Sequence, residues 1–439
     1  MDIDRRTFLA AAAGIAVTAQ AAPSNRVHSS GVEGFPHGFL WGAAGAGHQI
    51  EGNNISSDLW VLENCKPTFY VDRSGDALNS FELWPSDLEM VKALGLNTYR
   101  FSLEWARIEP EDSMFSIAML DYYKSIIEGC RARDITPVVT FNHASTPRWF
   151  AAGGGWTNPA SPDLFSRFCD RAARHLSGAI AYAVTLNEPN GPKLSRGLMP
   201  AFVLDLQRKM LEAAARKCGS EKFSSLISCE PGDIDVIVAN LIKAHKLGKA
   251  AIKAARSNLP VGFTLALPDD EAVGPDSIRD KRRAEVYGEW LETARSDDFI
   301  GIQNYDRVSW NNKGIAAPAS GSILSPMGGE VYAPSLAAAV SYAYSVARVP
   351  VLVTEHGVAT DDDAVRAALI PAALKELRAA MGQGVDVKGY IHWSLMDHYE
   401  WMLGYKMHYG LCSVDRTTFK RSPKQSASVL RDIAKRNSL

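Results

Sequence analysis

Val349-Pro350-Val351-Leu352-Val353-Thr354-Glu355-His356-Gly357 sets an unbroken apolar run before a carboxylate and then a glycine that can turn the chain. Apolar residues without alternation mark a strand buried on both faces, the kind found in parallel sheets covered by helices. Comparable runs lie at 39–45, 97–103, 136–141, 181–187, 261–267, 298–305 and 387–393, and with 349–355 they make eight. Helical periodicity fills the intervals at 85–94, 119–132, 163–176, 233–256, 280–294, 334–347 and 364–381, and a last stretch at 423–436 closes the chain. Eight strand–helix units predict an α/β chain folded as a closed (β/α)8 TIM barrel rather than an open sheet. It is read as a single domain with long loops on the C-terminal face. The longest insertion, 189–232, follows the fourth strand and carries its own helical piece near 204–216. By barrel geometry it overhangs the face where active sites form.

The 439 residues are 46% hydrophobic and carry a net charge of −2, enough for a large core and too balanced to gather nucleic acid or an anionic membrane. A small, neutral partner is the expectation. Ten Trp, 14 Tyr and 16 Phe supply flat rings that fill cores and also stack on the apolar faces of pyranoses.

Residues 1–22 are set apart from the barrel domain, 23–439. Arg5-Arg6-Thr7-Phe8-Leu9 opens a short apolar stretch, and Ala19-Gln20-Ala21 offers small residues to a peptidase. That order reads as a bacterial twin-arginine export signal, which implies the export machinery as a transient partner and a periplasmic or secreted product. No later run approaches the ~18 apolar residues of a membrane span, so no stable anchor is expected once the signal is removed. Of six cysteines, Cys218 and Cys229 share one polar segment and are candidates to pair, while Cys130 and Cys169 sit in helical stretches as small buried hydrophobes. No CxxC or His–Cys cluster suggests a metal, and no cofactor fingerprint is present.

Two glutamates end strand-like runs: Glu188 in Val184-Thr185-Leu186-Asn187-Glu188-Pro189, and Glu355 in the stretch quoted first. An ionisable group ending a buried strand must emerge at the barrel mouth or suffer a large desolvation penalty. The fourth and seventh strands face each other across the ring. Two carboxyls so placed suit glycosidic bond cleavage, which needs one group to protonate the leaving oxygen and one to attack the anomeric carbon.

The chain resembles glycoside hydrolase family 1, the β-glucosidase family, from about residue 35 to 434. The matching segments are Phe39-Leu40-Trp41-Gly42-Ala43-Ala44 with His48-Gln49-Ile50-Glu51-Gly52; Tyr99-Arg100-Phe101-Ser102-Leu103-Glu104-Trp105-Ala106-Arg107-Ile108; Thr185-Leu186-Asn187-Glu188-Pro189; Thr354-Glu355-His356-Gly357; and Trp393-Ser394-Leu395-Met396-Asp397-His398-Tyr399-Glu400-Trp401. The resemblance implies a retaining exo-β-glycosidase acting on terminal neutral sugars of oligosaccharides or aryl glycosides. Glu355 would be the nucleophile and Glu188 the acid/base, ~5–5.5 Å apart. Asn187 would hold the 2-hydroxyl, Tyr305 would steady the nucleophile, and Arg100 would keep it easily ionised. Gln49, His143, Gln303, Glu400 and Trp401 would contact the sugar, with Trp393 as stacking floor. Two other readings use the same residues: a transglycosylase sharing the covalent intermediate, and a non-catalytic carbohydrate-binding barrel.

The family pattern is broken in places. His143-Ala144-Ser145 stands where members read His-Trp-Asp, which implies a wider sugar pocket unless Trp149 or the insertion refills it. His356 and His398 replace Asn, and Gln303-Asn304-Tyr305 replaces Asn-Tyr-Tyr. The histidines would make activity pH-sensitive near neutrality. Glu400 would repel a phosphate and so favour a neutral sugar.

Overall fold

The structure, a computed structural model, describes residues 34–439, so the expected leader at 1–22 lies outside the described residues. The barrel strands are β1 Leu40–Ala44, β2 Thr98–Ser102, β3 Thr136–Asn142, β4 Tyr182–Leu186, β5 in two pieces (Val261–Gly262 and Thr264–Ala266), β6 Ile300–Asn304, β7 Val351–His356 and β8 Val387–Trp393. Each pairs in parallel with its neighbours, and β1 lies between β2 and β8. The first piece of β5 pairs with β4 and the second with β6, so the ring closes through this one strand. The continuous run expected at 261–267 is therefore interrupted. At Gly262 the chain passes so close to the start of β6 that a Cβ would sit 2.2 Å from the Phe299 carbonyl oxygen, and there β5 changes partner.

Leu40, Val138, Val184, Phe299, Leu352 and Ile391 fill the barrel interior. A larger apolar layer lies between strands and helices and includes Phe101, Val139, Phe165, Leu241 and Leu374. Burying each such side chain contributes ~1.5–3 kcal/mol, which explains why strands covered on both faces read as unbroken apolar runs. The outer helices follow the expected intervals with shifted ends. One begins at Ser80 rather than at Pro85 and runs Ser80–Ala93 with the proline inside it. Proline cannot donate to the carbonyl four residues back, and the Tyr122 hydroxyl donates to that Phe81 carbonyl instead, at 2.9 Å. The stretch expected as one helix at 280–294 contains a π-helical turn, Ala284–Gly288, between Arg279–Arg283 and Glu289–Ala294.

The C-terminal rim is more elaborate than periodicity suggests. Asp269–Ala272 pairs with Arg307–Trp310 as a parallel ribbon continuing past β5 and β6. The insertion after β4 holds Gly191–Ser195 and an 18-residue helix, Ala201–Cys218, longer at both ends than the expected piece. Met210, Leu211 and Ala214 of that helix pack on Leu59, Leu62, Phe69 and Tyr399, forming an apolar cluster separate from the barrel layer. This separation overturns the pairing considered for Cys218 and Cys229. Both are free thiols, since Cys218 packs against the insertion cluster while Cys229 faces the barrel layer.

Candidate active site

Glu355 lies in β7 and is 3% exposed. Gly357 then lets the chain turn beside β8, because a Cβ there would meet the Trp393 carbonyl oxygen at 2.2 Å. Two strands direct donors at the Glu355 carboxylate. Arg100 of β2 donates to Oε1 at 2.5 Å, Gln303 of β6 donates to Oε1 at 2.8 Å, and the Tyr305 hydroxyl donates to Oε2 at 2.5 Å. Arg100 also donates to the Asn187 side-chain carbonyl at 2.6 Å, and its Nε donates to the Thr140 hydroxyl at 3.2 Å. The Asn187 carbonyl takes two further donors, Gln303 Nε2 at 2.7 Å and the Thr264 hydroxyl at 3.0 Å. Its amide nitrogen faces His143 Nε2 at 3.1 Å. Four barrel strands thus fix one amide orientation next to Glu355.

Glu188 follows β4 and sits in the left-handed region, φ 46°. Ala144, after β3, and Trp401, after β8, share that conformation at φ 65° and 38°. Three non-glycine residues held there at one barrel mouth are local strain stored where side chains must converge. Among the described residues no side chain hydrogen-bonds the Glu188 carboxyl. Burial pushes Glu188 up to about 8, and the Glu355 charge adds to the shift while Arg100 opposes it. Glu355 is also raised, because burial outweighs the opposing pull of Arg100 and the Tyr305 hydroxyl. The expectation that it ionises easily is corrected to this extent: Arg100 offsets its desolvation without reversing it. The order of the two carboxyls follows from their partners, since Glu355 is held by donors that favour its anion and Glu188 by none.

The remaining expected residues gather beside this pair. Gln49 donates to the Tyr399 carbonyl at 2.9 Å and to Glu400 Oε2 at 3.2 Å. The His143 ring stacks on Trp393 (5.6 Å between centroids, 20° between planes) and on Trp401 (6.0 Å, 29°). Two buried amide oxygens, Gln49 Oε1 and Gln303 Oε1, have no hydrogen-bond partner, whereas the Gln303 nitrogen is committed to Asn187 and Glu355. Glu400 is pushed up to about 8 by burial and then by the Glu355 charge, with Gln49 pulling the other way. Burial lessens the tendency of Glu400 to ionise, so it can donate to a sugar hydroxyl as well as accept from one. The histidines do not titrate near neutrality. Burial drives His356 down to about 3 and His398 down to about 4, and both stay uncharged. Sequence reading missed Thr140, Thr264 and Tyr409. The threonines read as ordinary strand formers, and Tyr409, which stacks on His398 and meets Tyr305 edge-on at 5.6 Å, lies in a loop without periodicity.

On the other side of Glu188 a cavity of about 710 Å³ opens, bordered by His143, Ala144, Asn187, Glu188, Trp401 and residues of the insertion. Trp149 does not refill the place of the absent indole. It packs edge-on against Trp105 at 6.0 Å and donates to the Glu109 carbonyl at 2.9 Å. Ser145 turns to the buried Glu104, to which its hydroxyl donates. The space at Ala144 therefore joins the cavity under the insertion, away from Gln49 and Glu400.

Two carboxyls, one held by donors that favour its anion and one without such donors, on opposite strands of a single mouth and close enough to repel each other, can act on an acetal carbon from two flanks. The fold and sequence have many relatives. The solved structure of beta-glycosidase BGL167 shares 41% identity, with 92% of this chain and 98% of that one covered, and superposes with a TM-score of 0.87. A beta-glucosidase 1317 shares 38% identity over 91% and 98%, also at 0.87. The 1,4-beta-D-glucan glucohydrolase of Thermotoga neapolitana is 27% identical over 92% of this chain and 99% of its own length. The model of Glycosyl hydrolase family 1 matches residues 32–203 and 324–439, segments that contain both glutamates. With that match over most of its length, the protein belongs to glycosyl hydrolase family 1.

Proposed function

We propose that this protein is a retaining exo-β-glycosidase that releases terminal neutral sugars from β-linked glycosides through a covalent glycosyl-enzyme. The observation that carries the reading is the contrast between the two carboxyls: Glu355 takes donors from Arg100, Gln303 and Tyr305, while Glu188 takes none and is pushed up to about 8. Glu355 attacks the anomeric carbon as Glu188 passes its proton to the departing oxygen. Oε2 of Glu355 holds one donor and Oε1 two, so Oε2 keeps the freer lone pair. Once the glycosyl ester forms, the Glu355 charge is gone and Glu188 becomes more acidic. It then takes a proton from water, which attacks the same carbon and restores the original anomeric configuration.

The Asn187 amide, locked by three donors to its oxygen, is oriented to give a hydrogen to the sugar 2-hydroxyl. The unpartnered oxygens of Gln49 and Gln303 suit a ligand rich in hydroxyl donors. Proton NMR of the first-formed sugar from an aryl β-glucoside tests the reading: β-anomer is expected, and initial α-anomer would overturn it. Residues 1–22 support delivery to the periplasm or beyond by the twin-arginine route. A reporter fused to them should leave the cytoplasm, and changing Arg5 and Arg6 to lysine should retain it there.

A further inference from the structure

We propose that the leaving group this site accepts best is a bulky apolar aglycone, a fused-ring or branched hydrocarbon alcohol, held in the cavity beneath the 189–232 insertion rather than a second sugar. This rests on the glycosidase reading above and specifies its substrate. The cavity starts at Glu188, the group that would protonate the leaving oxygen, so whatever departs with that oxygen lies in it. Its walls are largely hydrocarbon and include Met199, Leu204, Leu226, Ile227, Ile234 and Met402. The volume of about 710 Å³ also borders His143, Asn187 and Trp401, so part of it faces the sugar and the part beneath the insertion is left for the leaving group; the whole falls within the range of about 300–1,000 Å³ typical of ligand pockets.

The side-chain donors on the insertion wall already have partners within the protein. Gln207 donates to the Cys229 carbonyl at 2.7 Å, Ser195 donates to the Pro192 carbonyl at 3.2 Å, and Arg196 pairs with Asp235 at 2.8 Å. A second pyranose would bring several hydroxyls into this space with few partners, and an unpaired buried hydroxyl loses its water without compensation. A hydrocarbon scaffold loses nothing of that kind and gains in proportion to the apolar area covered. Ala144 extends the space to the acid/base itself, since its methyl lines the cavity where the resembling family carries an indole. Leu198 and Phe202, near the wall residues Met199 and Leu204 in sequence, are 50% and 46% exposed and add apolar surface to the insertion.

The test compares kcat/KM for three substrates of the same sugar: the β-glycosyl fluoride, the β-1,4-linked disaccharide and the β-glycoside of a steroid alcohol. The fluoride reports the sugar side alone, because its leaving group does not reach the cavity wall. The steroid glycoside is expected to exceed the disaccharide by about 10²-fold. In Ala144→Trp and in Ile227→Asn, the steroid-to-fluoride ratio should fall by about 10-fold, each variant serving as its own reference for folding. Equal or greater turnover of the disaccharide, or a ratio unmoved in both variants, would overturn the proposal while fluoride turnover keeps the glycosidase reading intact. A wild-type enzyme inert toward the fluoride would remove both.

Discussion

Both carboxylate oxygens of Glu355 are matched by donors from other parts of the barrel, whereas across Glu188 the wall is mostly hydrocarbon supplied by one long insertion. The first region is a frame of short charged and neutral hydrogen bonds from β2, β4, β5, β6 and β7. The second owes its shape to the packing of Ala201–Cys218 on a separate apolar cluster. A reacting carboxylate needs fixed dipoles, because desolvation would otherwise neutralise it. A leaving-group pocket needs volume and the right polarity, which a loop can change without disturbing the frame. On the proposed reading, bond cleavage belongs to the barrel and selectivity to the insertion.

That division can be attacked from the frame side first. Glu355→Gln should lower kcat on an aryl β-glucoside by more than ~10⁴-fold with the fold intact by circular dichroism. Residual turnover within tenfold of wild type would mean the nucleophile lies elsewhere. Glu188→Gln should cost about 10²–10⁴-fold on poor leaving groups and far less on dinitrophenyl glycosides, which leave unaided. Azide should restore turnover and yield the β-glycosyl azide, and an α-azide would contradict retention. Arg100→Met removes one partner of a buried pair and should destabilise the fold by about 3–5 kcal/mol in urea titrations, while moving the acid limb of activity to higher pH.

The pH profile itself has a defined sign. Catalysis requires Glu188 protonated, so activity should fall as pH rises through about 8. It also requires Glu355 ionised, so activity should fall again on the acid side, at a pH above the usual carboxylate range because burial raises that group. Loss of the alkaline limb in Glu188→Gln checks the assignment. The smallest effect belongs to His398→Asn. A ring held neutral down to about 4 has no proton to exchange between about pH 5.5 and 8, so the profile in that window should be unchanged. A shifted limb would show that the histidine senses pH after all.

Much of the frame was legible along the chain. Unbroken apolar runs such as 349–353 stand for strands buried on both faces, and a glutamate at the end of such a run must surface at the mouth. The positions of Glu188 and Glu355, and the ring of eight strand–helix units, follow from that local arithmetic. The split of β5 at Gly262, the π-helical turn at 284–288 and the extension of one helix back to Ser80 were not legible. Each depends on an approach from a distant segment, as when Tyr122 supplies the bond that Pro85 cannot.

Residue identity and spacing determine which groups reach the barrel mouth, because strand periodicity and the desolvation of charge act within a few residues of chain. Tertiary structure alone decides how acidic those groups are and what surrounds them. Neutral His356 and His398, a raised Glu355 beside its arginine, and the cavity at Ala144 all arise from burial and from neighbours far away in sequence, and desolvation depends on what surrounds a group in space.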